Sequence, residues 1–222
     1  MTAARVFYGG TFDPVHNGHL TIARAVAAVL GEPVTLVPAA DPPHRPAPGA
    51  SAGQRARMLE LAVASDDMLR VDRRELLRDG PSYSVDTLTE LSGETGAQAA
   101  LVWVLGLDAL LGLPTWHRWH CLTGLCNLLA VQRPGTEASL DWLALRAPEV
   151  HAELAPRWCA PAALLRQAAG GYAAMAMHPL RTESSTQVRQ HIAAGLPWAQ
   201  CVPGPVADYI NSHGLYRPAA QG

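Results

Sequence analysis

From residue 4 to about residue 133, short apolar runs alternate with helix-patterned stretches, and this alternation restricts the fold more than any other feature. Strand-like runs fall at Ala4–Tyr8, Glu32–Ala39, within "LRVDRREL", at Ala100–Leu105 and at Asn127–Gly135. Between them lie helical stretches at His19–Leu30, at Ala52–Ser65, from near Ser84, and briefly after Gly106. In the first helix Leu20, Ala23, Val26, Ala27 and Leu30 share one face, and Gly31 stops it. Strands alternating with helices predict a parallel sheet covered on both faces. The expected fold class is therefore α/β, a Rossmann-like doubly wound sheet with a small helical C-terminal portion. Thr136–Gly171 is alanine-rich and reads as mostly helical, Tyr172–His178 as a last strand. Ser184–Gly195 and Val206–Gly214 read as closing helices, the first with an N-cap hydroxyl and a glycine stop. Residues 1–222 are expected to form one domain, with 180–217 carrying the "SSTQVR" helix.

All 17 basic residues are arginine. Without lysine, a Walker-type P-loop and lysine Schiff-base chemistry are both excluded. Phosphate recognition must then use arginine, histidine, hydroxyls or backbone N–H groups. The net charge of −2 argues against a general nucleic-acid or anionic-membrane binder. There is no apolar run long enough to cross a bilayer, and "MTAARVFYGG" has no signal-peptide pattern. The expectation is a cytoplasmic protein whose four cysteines, Cys121, Cys126, Cys159 and Cys201, are reduced and mostly packing.

The most decorated stretch is "FYGGTFDPVHNGHL", Phe7–Leu20. In a doubly wound sheet, ligands bind beyond the carboxyl ends of the strands, where this loop lies. Gly9 and Gly10 let the backbone approach a bulky anion. The next helix turns its free N–H groups and positive dipole end to the same place. His16 and His19, three residues apart, put two imidazole donors on one side. The glycines are adjacent, unlike the G-x-G-x-x-G dinucleotide fingerprint. Two histidines could also begin a zinc site, but no third ligand stands near them in sequence. An ordinary strand–turn–helix would leave this whole set of residues without a purpose.

"GGTFDPVHNGHL" resembles the G-G-x-F-D-P-x-H-x-G-H signature of the adenylyl/cytidylyl-transferase superfamily. Further segments resemble the bacterial nicotinate-mononucleotide adenylyltransferase family: "PPHRP" (Pro42–Pro46), "RELLRDGPSYSVDTL" (Arg74–Leu88), "GLDALLGLPTW" (Gly106–Trp116), "VQRPG" (Val131–Gly135) and "SSTQVR" (Ser184–Arg189). The resemblance runs from Phe7 to Arg217 and is weakest over Thr136–Gly171. It implies adenylyl transfer from ATP to nicotinate mononucleotide, giving nicotinate adenine dinucleotide and pyrophosphate. The partners would be these two substrates, with Mg²⁺ carried in on ATP and no protein metal cage; a homo-oligomer stays open.

The resemblance also implies roles. His16 and His19 would grip the phosphates, His19 nearest the α-phosphate, with Arg189 as the third catalytic residue. Gly9, Gly10, Thr11 and Phe12 would line the reacting phosphate through backbone. Ser185, Thr186 and Arg189 would hold the β- and γ-phosphates. Gly106 and Asp108 would contact adenosine, with Asp108 serving equally as a helix N-cap. On the acceptor side stand His44, Arg45, Ser84, Val85, Trp116 and His117. Trp116 offers a π face to a cationic pyridinium, and the helix start at Ser84 and Val85 offers N–H groups to its carboxylate. Where the family often has threonine and tyrosine, this chain has Ser84 and His117. Glu183 replaces a favoured isoleucine before the serines and would repel a triphosphate unless it faces solvent or pairs with Arg181. Three alternatives remain open: an enzyme preferring nicotinamide mononucleotide, a phosphopantetheine adenylyltransferase, and a catalytically silent nucleotide sensor.

Overall fold

A computed structural model describes residues 4–40, 49–95, 99–132, 139–176 and 183–218. Six parallel strands form one sheet in the order β3-β2-β1-β4-β5-β6. They are β1 (Arg5–Gly10), β2 (Val34–Pro38), β3 (Leu69–Val71), β4 (Leu101–Gly106), β5 (Asn127–Gln132) and β6 (Tyr172–Ala176). The long helices are α1 (Asn17–Leu30), α2 (Ala52–Val63), α3 (Ser84–Thr95), α8 (Ser185–Ala193) and α9 (Gly204–Ser212). Shorter ones are α4 (Leu107–Leu111), α5 (Leu122–Leu125), α6 (Leu140–Arg146) and α7 (Pro148–Leu154).

Alternation within β1 explains the double winding. Val6 and Tyr8 pack into one core with α1, α2, α8 and α9, while Phe7 packs into another with α3, α4, α6 and α7. Strands buried on both faces read as continuous apolar runs, as Leu101–Leu105 does, where every residue is buried. Strand order reverses between β1 and β4, whose register pairs Tyr8 with Val104. That switch opens a crevice beyond their carboxyl ends.

Three boundaries differ from expectation for physical reasons. Strand β1 runs on through Gly9 and Gly10, because both glycines make close packing rather than a bare turn. A Cβ on Gly9 would land on the Trp103 indole, and one on Gly10 would come 2.9 Å from the Phe12 ring. Helix α1 starts at Asn17, not His19, with His16 as N-cap. The region around 139–171 is helical as expected, but broken; Pro148, Pro156 and Pro161 each stand in the opening turn of a new short helix. No helix among the described residues is long and apolar enough to cross a membrane.

Candidate active site

The switch-point crevice is a cleft of about 550 Å³, counting its open mouth. Gly9, Gly10 and Thr11 enter it from β1, Gly106 from the end of β4, and Ser84 and Trp116 from the far side. These segments thus bring together six of the residues singled out in the sequence. Val37, Ala39, Glu75, Ser82, Trp103, Leu105 and Ala109 complete the wall.

The two histidines meet as their spacing predicts. Their rings stack at 3.7 Å between centroids, 28° apart. The His16 backbone N–H donates to His19 Nδ1 at 3.3 Å. His16 is only 2% exposed, whereas His19 is half-buried and so the more accessible of the two. The Phe12 ring stands edge-on to His19 at 4.9 Å, and Phe12 holds a left-handed φ of 50° that an ordinary residue avoids. A bulky residue held there indicates a loop conformation over-determined by its surroundings.

Those surroundings centre on two side chains that sequence reasoning passed over. Arg55 of α2 is fully buried. Its guanidinium donates to the carbonyls of Ala50 (3.2 Å), Thr11 (2.7 Å), Ala39 (2.6 Å) and Ala40 (2.6 Å). It therefore welds the end of β2 to the β1–α1 loop. Asp13, also buried, accepts from the backbone N–H groups of Gly49 (2.8 Å) and Ala50 (3.1 Å) and from the Tyr216 hydroxyl (2.9 Å). Arg55 did leave a sequence signal: it shares the apolar face of α2 with Met58, Leu59 and Ala62.

Helix α8 docks onto the same loop. The Ser185 hydroxyl donates to the Pro14 carbonyl at 2.9 Å, joining residues 171 apart in sequence. Arg189 donates to the Asp13 carbonyl at 2.6 Å and to the Thr186 hydroxyl at 3.4 Å. Ser184 caps the helix by accepting from the Gln187 N–H at 3.2 Å. Thr186 is exposed. Glu183 lies close enough to raise the Cys201 thiol pKa, an effect second to that thiol's burial. Arg181, one of the two outlets considered for the Glu183 charge, lies outside the described residues, as do His44 and Arg45.

Among the residues expected to receive the acceptor, Val85 is buried in the core, so only its backbone could serve a ligand. Trp116 is half-buried along the cleft, and exposed His117 packs on Tyr83 with ring centroids 4.4 Å apart. Asp108 is not the N-cap of α4; Gly106 is, and Asp108 stands exposed in the first turn. Its carboxylate is thus not committed to capping.

Beneath Ser84 lies a buried carboxyl. Glu75 accepts from the Thr87 hydroxyl at 2.7 Å and from Ser82, whose own oxygen accepts from the Ala40 N–H at 3.0 Å. Burial raises the Glu75 pKa, against the opposing pull of these hydroxyls and Arg78. A proton held more tightly in the folded chain stabilises it fully below the ordinary value of 4.5, and that contribution is lost as pH rises through the raised value. Glu75→Gln keeps the acceptor and cannot ionise. Melting temperatures measured from pH 4.5 upward should fall less steeply for this variant than for the parent; parallel slopes would contradict the assignment.

The chain matches the cytidylyltransferase-like family over residues 7–191. It is 47% identical to a Stenotrophomonas maltophilia protein named "Probable nicotinate-nucleotide adenylyltransferase", over 98% of both chains. A Xylella fastidiosa protein of the same name is 42% identical over 97% of both. Among solved structures, the nicotinic acid mononucleotide adenylyltransferase of Plasmodium falciparum, complexed with NaAD, superposes with a TM-score of 0.73. That match covers 96% of this chain and 97% of the other at 13% identity, a likeness of fold. With the fold, the signature loop and nearly full-length relatives in agreement, the chain belongs to the cytidylyltransferase-like nucleotidyltransferases and, among them, to the nicotinate-nucleotide adenylyltransferase family.

Proposed function

We propose that the protein transfers the adenylyl group of ATP to the 5′-phosphate of nicotinate mononucleotide, within NAD biosynthesis. The observation that carries this is the convergence of the β1–α1 loop, the histidine pair and the α8 start at the sheet's switch point. A phosphate oxygen of the mononucleotide attacks the α-phosphorus in line. The bond from that phosphorus to the bridging oxygen breaks, and pyrophosphate leaves. The nucleophile is already anionic, so no general base is required. The protein's work is positioning and charge stabilisation.

In this reading the His16–His19 stack faces the α-phosphate through His19, with His16 fixing its partner's plane. Thr11 and Phe12 offer backbone N–H groups, while Arg189 and the α8 N-terminus take the β- and γ-phosphates with Ser185 and Thr186. Gly106 and Asp108 meet the adenosine. Ser84, Val85, Trp116 and His117 receive the nicotinate ring and its carboxylate. Mg²⁺ bound to ATP would neutralise phosphate oxygens as charge develops.

Pyrophosphate release with ATP and each of three acceptors tests the assignment. Turnover should be fastest with nicotinate mononucleotide, slower with its amide, and absent with phosphopantetheine. ATP binding without release of pyrophosphate would favour the silent sensor instead. Trp116→Ala should raise the KM for nicotinate mononucleotide about tenfold, between the worth of an exposed and of a fully desolvated cation–π contact, as suits a half-buried ring. The KM for ATP should stay unchanged in that variant; equal changes in both would remove Trp116 from the acceptor side.

A further inference from the structure

Tyr216, half-buried behind the signature loop, is a titratable side chain that the chemistry above does not use. It lies 203 residues from Asp13 in sequence, yet its hydroxyl donates to Asp13 Oδ1 at 2.9 Å. Its ring covers Gly49 so closely that a Cβ there would come 2.9 Å from it. Tyr216 also holds a left-handed φ of 64°, a conformation a tyrosine adopts only when its contacts enforce it.

The Asp13 carboxylate has two suitors of different kinds. Tyr216, Gly49 and Ala50 donate to it at hydrogen-bond distance. The Arg189 guanidinium stands at 3.5 Å from Oδ2, too far for a good bond, while the same nitrogen bonds the Asp13 carbonyl at 2.6 Å. An arginine drawn fully onto a buried carboxylate would surrender donors to it. One held just short of it keeps its fork available to another anion. We propose that Tyr216 is a positioning residue for ATP: by satisfying Asp13, its hydroxyl keeps Arg189 from closing onto the carboxylate and leaves that guanidinium for the triphosphate. This rests on the assignment of Arg189 to the β- and γ-phosphates. The C-terminal segment is thereby part of the nucleotide site rather than a trailing end.

The test is a cycle of Tyr216→Phe, Arg189→Ala and the double variant, each assayed for the KM of both substrates below its melting temperature. Phenylalanine keeps the ring over Gly49 and removes only the hydroxyl. Tyr216→Phe should raise the KM for ATP about three- to tenfold, the worth of one hydrogen bond, and leave that for nicotinate mononucleotide unchanged. Arg189→Ala should raise the ATP KM more, and adding Tyr216→Phe to it should change nothing further. An unaltered ATP KM in Tyr216→Phe beside a raised one in Arg189→Ala would overturn the role of Tyr216 alone. So would an effect of Tyr216→Phe that persists undiminished without Arg189, or one that falls equally on both substrates, since either would be merely structural. Near-normal ATP kinetics in Arg189→Ala would sink the triphosphate assignment and this inference with it.

Discussion

Replacing His19 by alanine should lower kcat for adenylyl transfer by about 10²–10³-fold, the usual cost of removing one preorganised donor from a developing anion. Preorganisation is visible in the fold. His19 is pinned by its ring stack on His16, by the bond from the His16 N–H and by the edge of Phe12. The imidazole needs no reorganisation when charge develops, which is where such donors gain their effect. The loss should appear in kcat more than in the KM for ATP, because the interaction strengthens in the transition state. Steady-state kinetics with both substrates saturating measure it. His16→Ala should differ in kind: its ring is buried, so stability falls as well as rate. Similar kcat values for the His19→Ala variant and the parent would take His19 out of the reaction centre.

The largest effect on stability should come from Arg55→Met. Methionine fills much of the volume but donates nothing, leaving the carbonyls of Thr11, Ala39, Ala40 and Ala50 to find other partners. Hydrogen bonds from a charged donor contribute about 1.5–3 kcal/mol each, and buried acceptors left unmade add their own cost. The four bonds share one guanidinium and do not sum, so a loss on the order of 3 kcal/mol or more is expected. Urea unfolding of parent and variant reads it directly. Because three of those carbonyls, those of Thr11, Ala39 and Ala40, belong to the β1–α1 loop and the end of β2, ATP affinity should weaken in the same variant. A loss below about 0.5 kcal/mol, the level of an ordinary surface change, would contradict the welding role.

How legible the protein was in its sequence depended on the range of the interaction. Strands and helices came through well because their signals are local. Leu101–Leu105 is apolar throughout because it is buried on both faces, and Gly31 ends α1 with a left-handed φ of 70°. The histidine pair was legible for the same reason, three residues along one helix start. What the sequence did not announce is which distant groups satisfy one another. Asp13 and Tyr216 meet across 203 residues, and Ser185 and Pro14 across 171. Nothing periodic connects such pairs. Arg55 is intermediate: a charge on an apolar helix face predicts a buried polar partner, but not that the partners are four backbone carbonyls. The glycine pair carries a second meaning that only packing reveals. Gly9 and Gly10 are small as much for Trp103 and Phe12 as for any ligand.

The central claim is that the loop from Gly9 to His19 and the start of α8 cradle a triphosphate whose α-phosphorus is attacked. It is tested most directly by following isotope from ATP labelled separately at the α- and γ-phosphates, in the presence of nicotinate mononucleotide. The account predicts α-label in the dinucleotide product and γ-label in pyrophosphate. Gamma label in inorganic phosphate or on the acceptor, with no α-label in a dinucleotide, would contradict it.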